Sequence, residues 1–261
     1  LTGCADNQNV SLALAANTVS SLGGLTGPTT APATISVAVD RTAPTFSWGQ
    51  TPQSPTTGSP VFTLNFSENI SGLTSADITN AGTAAGCTFT ITTIQASSIY
   101  SATAVGCLDG TVMPRLAAAS VSDAAGNTGP ASVSTSPAVS IDNVAPAASF
   151  TSSPAALTHG SMSYTLHFSE AINPSTLTNS DFVFAGSVTG CSISLTPIAN
   201  SNDYTATVTG CSDGTIVLML NSAGVTDLAG NAGPATSAFA AGVTVDTSAP
   251  QVVSITTTTP S

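Results

Sequence analysis

The chain has 261 residues, room for about two domains of ~100–150 residues each. Its charge is lopsided: 2 basic residues, Arg41 and Arg115, stand against 13 acidic ones, for a net charge of -11. Phosphate backbones are bound through Lys and Arg, so this balance excludes nucleic-acid binding and disfavours anionic membranes.

In chain order, the segments repeat. Thr-Gly-Cys4-Ala-Asp6-Asn returns as Val-Gly-Cys107-Leu-Asp109-Gly and as Thr-Gly-Cys211-Ser-Asp213-Gly. Val-Asp40-Arg-Thr-Ala-Pro44 returns as Ile-Asp142-Asn-Val-Ala-Pro146 and Val-Asp246-Thr-Ser-Ala-Pro250, with the boundary prolines 102 and 104 residues apart. A fixed period marks a string of similar modules, which sets distance and displays surface. Residues 1–44 align with the back half of a module, 45–146 and 147–250 are two whole ones, and 251–261 read as the start of another. On this reading the chain is an excerpt of a longer array.

Within a module the apolar pattern has period two. In Val61 to Glu68, Phe62, Leu64 and Phe66 fall on one face and Thr63, Asn65 and Ser67 on the other. Tyr164, Leu166 and Phe168 repeat the inward set, with Thr165, His167 and Ser169 outward. Such alternation marks a strand with one buried face. Thr111 to Val121 and Thr215 to Val225 also read as strands, as do Val139–Ile141 and Val243–Val245. No segment has sustained helical periodicity, and no run of about 18 apolar residues could span a membrane.

Cys87 to Gln95 and Ile99 to Cys107 read as a β-hairpin. Symmetric pairing about Ser97 sets Cys87 opposite Cys107, and the same pairing about Ser201 sets Cys191 opposite Cys211. This predicts one cross-strand disulfide per module, reduced buried thiols being the alternative. Each bridge would close a loop of ~20 residues, worth roughly 3 kcal/mol, and would place the chain in an oxidising, extracellular compartment. Cys4 would then pair upstream, which accounts for the odd count of 5 cysteines. Short strands separated by Gly, Pro, Asn and Asp indicate an all-β fold of tandem immunoglobulin-like β-sandwiches arranged as an extended array.

With these motifs in hand, the chain resembles the bacterial Ig-like repeats of large cell-surface proteins and adhesins. Asp-x-x-Ala-Pro, Phe-Ser-Glu, Leu-Thr-x-x-Asp, Asp-Gly and Asp-x-x-Gly-Asn carry the likeness, in order and repeated along the whole chain. The resemblance implies a secreted, rod-like protein that calcium often stiffens.

Strand order supplies a candidate ion site. In such a sandwich the turn after Phe66-Ser-Glu68, the turn bearing Asp123 and Asn127, and the incoming segment with Asp40 all lie at one pole, with Asp77 near. The next module gathers Glu170, Asp227, Asn231 and Asp142, with Asp181 near. Clustered carboxylates repel unless a cation or protons intervene, and all-oxygen ligands favour calcium over zinc or copper. The competing reading makes Asp-x-x-Gly-Asn a tight turn only. Ser21 and Leu25 replace Asp123 and Asn127 in the partial copy, so no site is expected there.

Nothing else points to chemistry. His159 and His167 are bystanders without repeated partners, and no paired Glu has glycosidase spacing. Tyr100 and Tyr204 read as core residues, and Asp109 and Asp213 as turn formers. The expected function is therefore structural: a spacer array of a bacterial extracellular surface protein, either an adhesin stalk or a surface filament. Its expected partners are neighbouring repeats of the same chain and copies of itself in a filament. The alternatives are a filament or sheath subunit and a glycan- or protein-binding module.

Overall fold

The computed structural model describes residues 4–31 and 34–256. They divide into two compact units, Leu1–Ser54 with Gly58–Ile141, and Pro55–Thr57 with Asp142–Ser261. Regular structure is almost wholly β, with 3-10 turns at Ser75–Asp77 and Asn179–Asp181. No helix among the described residues is long and apolar enough to cross a membrane.

The first unit opens with β1 (Gln8–Leu12) and β2 (Ile35–Val39), which pair antiparallel. There follow β3 (Phe46–Trp48), β4 (Val61–Phe66), β5 (Ile78–Asn80), β6 (Thr88–Gln95), β7 (Ile99–Val105), β8 (Gly110–Val112), β9 (Pro114–Leu116) and β10 (Val139–Ile141). One sheet runs β3-β4-β7-β6; β8 pairs with β10, and β9 with β5. The period-two pattern does what it predicts. Phe62, Leu64, Phe66, Ala102 and Ala104 bury one face of the four-stranded sheet against Ile78, Val112, Leu116, Val139 and Ile141.

The second unit holds β11 (Ala148–Ser152), β12 (Leu157–Thr158), β13 (Met162–Phe168), β14 (Phe182–Gly186), β15 (Ser192–Pro197), β16 (Asp203–Thr209), β17 (Gly214–Leu220) and β18 (Val243–Val245). Its sheets run β11-β13-β16-β15 and β12-β18-β17-β14. The β12–β18 pair is parallel. Tyr164, Leu166 and Phe168 meet Ile216, Leu218, Leu220 and Val243 in the core. Tyr100 packs edge-on to Phe66 and Tyr204 edge-on to Phe168.

Two sequence expectations are corrected. The strand read from Thr111 to Val121 breaks at Met113 and ends at Leu116; its counterpart, read from Thr215 to Val225, is continuous as β17 but ends at Leu220. Pro114 stands where β17 has Leu218, and proline has no N–H for the ladder. Hairpin pairing is also one residue from symmetric. Phe89 faces Ala104 and Ile91 faces Ala102, so large and small side chains share the buried face. A bulge between Thr93 and Gln95 absorbs the offset at the turn. At the other end Gly86 and Gly106 take positive φ, and a Cβ on Gly86 would lie 2.8 Å from the Gly106 carbonyl oxygen. This close approach brings the chain ends together beyond the ladder. Disulfides Cys87–Cys107 and Cys191–Cys211 close there, each across 20 residues.

Replacing Cys191 and Cys211 together by Ser should lower the stability of the second unit by roughly 3 kcal/mol in urea unfolding. Dithiothreitol should then have no further effect on that unit's transition.

Candidate metal centre

Each unit folds its Asp-x-x-Gly-Asn segment into a turn because the Asp side chain replaces water at the turn's own amides. Asp123 Oδ1 accepts from the Ala125 N–H at 2.9 Å and the Asn127 N–H at 2.8 Å. Asp227 Oδ1 accepts from Gly230 at 2.6 Å and Asn231 at 2.8 Å. Gly126 and Gly230 supply the positive φ between them, at 92° and 103°. The Asn side chain then reaches both ways. Asn231 Nδ2 donates to Asp227 Oδ2 at 2.7 Å and to the Asp142 carbonyl at 2.9 Å. Asn127 Nδ2 does the same to Asp123 Oδ2 at 2.7 Å and the Asp40 carbonyl at 3.2 Å. The turn thereby holds the incoming segment of its own unit.

That hold gathers carboxylates. One oxygen each from Asp40, Glu68 and Asp123 lie within 4.8 Å of one another, and so do those of Asp142, Glu170 and Asp227. Asp123 and Asp227 are buried; the other members are half-buried. In the first unit the environment splits the acids. The Asn127 side chain holds Asp123 below the usual carboxylate range. Desolvation raises Glu68, and the negative charges of Asp123 and Asp40 add to it. A site of this kind offers three carboxylates and no nitrogen or sulfur donor, which fits a hard cation such as calcium, whose 6–8 oxygens can include carbonyls and waters.

Asp77 and Asp181 stand apart from these groups. Each caps its 3-10 turn: Asp77 Oδ2 accepts from the Thr74 N–H and hydroxyl at 2.7 Å, and Asp181 Oδ2 from the Thr178 N–H at 2.6 Å. Asn127 and Asn231 belong to the site through their amide nitrogens, as donors that place the Asp members.

Three further attachments escaped the sequence reading. Ser67 of Phe-Ser-Glu accepts from the Thr45 N–H at 2.9 Å, and Ser169 from the Ala147 N–H at 2.9 Å. Each serine thus pins the segment just past the boundary proline. Gly129 and Gly233 let that proline in, since a Cβ there would sit 2.1 Å from the Pro44 carbonyl oxygen and 2.2 Å from that of Pro146. Asp213, taken for a turn former, accepts from the Thr247 N–H at 2.7 Å and the Ser248 hydroxyl at 2.6 Å. Ser248 and Thr247 hold its pKa down to about 2. Asp6 likewise accepts from the Arg41 N–H at 2.6 Å and from the Thr42 hydroxyl. The available signal was the recurrence of this Asp with hydroxyls in the outgoing segment.

Residues 142–243 match the family model of the bacterial Ig-like domain. The matched stretch runs from Asp142 to Val243 and is the second sandwich. Among solved structures the chain is similar to invasin, described as a bacterial integrin-binding protein, at 16% identity and a TM-score of 0.35. The match covers 72% of this chain and 40% of that one, so the chain spans about two fifths of that relative. No curated protein matches.

Asn231→Ala should cost about 1–3 kcal/mol by leaving Asp227 Oδ2 and the Asp142 carbonyl without a donor, read as a lower urea midpoint at unchanged slope. Asp213 has a depressed folded pKa, so its grip is complete above the ordinary 3.8 and is lost as pH falls through about 2. The Thr247 amide resonance should titrate with that low midpoint, and Asp213→Asn should abolish the titration.

Proposed function

We propose that the chain is a structural part of a bacterial extracellular surface protein, a spacer or stalk of Ig-like modules, in which calcium locks each incoming segment to its sandwich. The convergence of Asp142, Glu170 and Asp227, repeated in Asp40, Glu68 and Asp123, carries this reading. In each triad one acid lies on the incoming segment and two lie on turns of the sandwich. A shared cation therefore removes the segment's freedom to swing and cancels the repulsion that convergence creates. The Asn clamp supports it by setting the backbone before any ion arrives. The two disulfides support an oxidising, extracellular setting.

Calcium at about ten times its dissociation constant should add about 1.4 kcal/mol, which for units of this size raises the melting temperature by about 5–10 °C over EDTA. Glu68→Gln with Glu170→Gln should erase that increment. The sign without calcium is opposite. The folded pKa of Glu68 is raised, so its contribution is full below the ordinary 4.5 and lost as pH rises through the folded value. In EDTA at neutral pH, Glu68→Gln should therefore stabilise the first unit slightly. Identical melting curves in calcium and EDTA would rule out the cation.

A further inference from the structure

The pair β1–β2 is built like the core-facing pairs β8–β10 and β17–β18, yet it faces solvent. The registers correspond: Val10 pairs with Val37 as Val112 pairs with Val139 and Ile216 with Val243. In the two sandwiches these residues are 0–2% exposed, under the four-stranded sheets. On β1–β2 Leu12 is 68% exposed, Ile35 68% and Val37 60%, while Val10 and Val39 are only half-buried. Leu14 and Val19 are exposed with them, whereas their counterparts Leu116 and Val121 are buried. A contiguous apolar face of this kind marks an interaction surface.

A second observation says what covers it. Cys4 stands in the sequence place of Cys107 and Cys211 and pairs with no cysteine among the described residues. In both sandwiches the partner cysteine leads into an edge strand, β6 or β15, of the four-stranded sheet that buries the equivalent face. We propose that the apolar face of β1–β2 is a docking surface for a four-stranded antiparallel sheet built like β3-β4-β7-β6, fastened by a disulfide to Cys4. The four-stranded sheets of a second copy do not fit the role: Leu64 and Leu166 on their inner faces are already buried, and their cysteines are already paired. The β1–β2 pair of a second copy is two-stranded and so does not supply such a sheet.

The test supplies such a sheet. Residues 45–103 are fused directly ahead of Leu1, which puts the added cysteine 20 positions before Cys4, the separation found in both sandwiches. The 261-residue chain should show one thiol that reacts with a disulfide reagent and should bind an apolar dye. Leu12→Thr with Val37→Thr should cut that dye signal, which assigns it to this face. In the fused chain the dye signal should fall about five-fold and the Cys4 thiol should be lost to a disulfide. Cys4→Ser in the fused chain should leave the dye excluded but lower the melting temperature. A fused chain in which Cys4 still reacts and dye still binds overturns the proposal. So does an unmodified chain with no dye signal, or one whose dimerisation removes it.

Discussion

A carboxylate placed against an apolar core is tolerable only when its oxygens are saturated with donors. Asp227 and Asp123 meet that demand, and the rest of each pole follows from how they do so. Their own turns supply backbone amides, and one asparagine supplies the last donor while its second N–H grasps a carbonyl of the incoming segment. The same few bonds thus fold the turn, satisfy the buried charge and fix where the chain comes in. Convergence of the other two acids is a by-product of that fixing. It creates a repulsion that a cation or a proton relieves; that repulsion adds to the desolvation that raises Glu68, while hydrogen bonds from the Asn127 side chain and the turn amides lower Asp123.

The hydrogen bonds that attach segments to sandwiches are chemically plain. Serine, asparagine and aspartate each hold one or two backbone groups, and two glycines remain bare so that a proline can pack. None of this requires basic residues, which explains how a chain with 2 of them keeps its acidic groups in order. Where a lysine could stand opposite a carboxylate, Asp123, Asp227 and Asp213 meet amides and hydroxyls, and Asp203 meets His167 Nδ1 at 2.6 Å.

Much of the architecture was legible because period-two alternation reports burial directly, as Phe62, Leu64 and Phe66 show. The cysteine pairs were legible from spacing, although the strands between them pair one residue from the symmetric register. Symmetry about Ser97 ignores the requirement that Phe89 and Ile91 share a face with alanines, and the bulge and the paired glycines reconcile the two demands. The convergence of Asp40, Glu68 and Asp123 followed from strand order alone. The capping role of Asp77 did not, because a Thr-x-x-Asp box and an ion ligand look the same in one dimension. The grip of Asp213 was hidden for a similar reason: its partners, Thr247 and Ser248, lie more than thirty residues away at the two variable positions of the Asp-x-x-Ala-Pro segment.

The parallel pairing of β12 with β18 gives the second unit a mechanical character. Between Asp142 and β12 the chain passes through β11, so tension on Asp142 and Asp246 reaches the β12–β18 pair once β11 has yielded, and then draws the two strands in opposite directions along their length. Their cross-links, from the Thr244 N–H to the Ala156 carbonyl at 2.7 Å and from the Asp246 N–H to the Thr158 carbonyl at 2.9 Å, then bear load together in shear. An antiparallel hairpin pulled from its open end parts one bond at a time. Here rupture needs simultaneous failure, so resistance to pulling comes from strand direction rather than from added contacts.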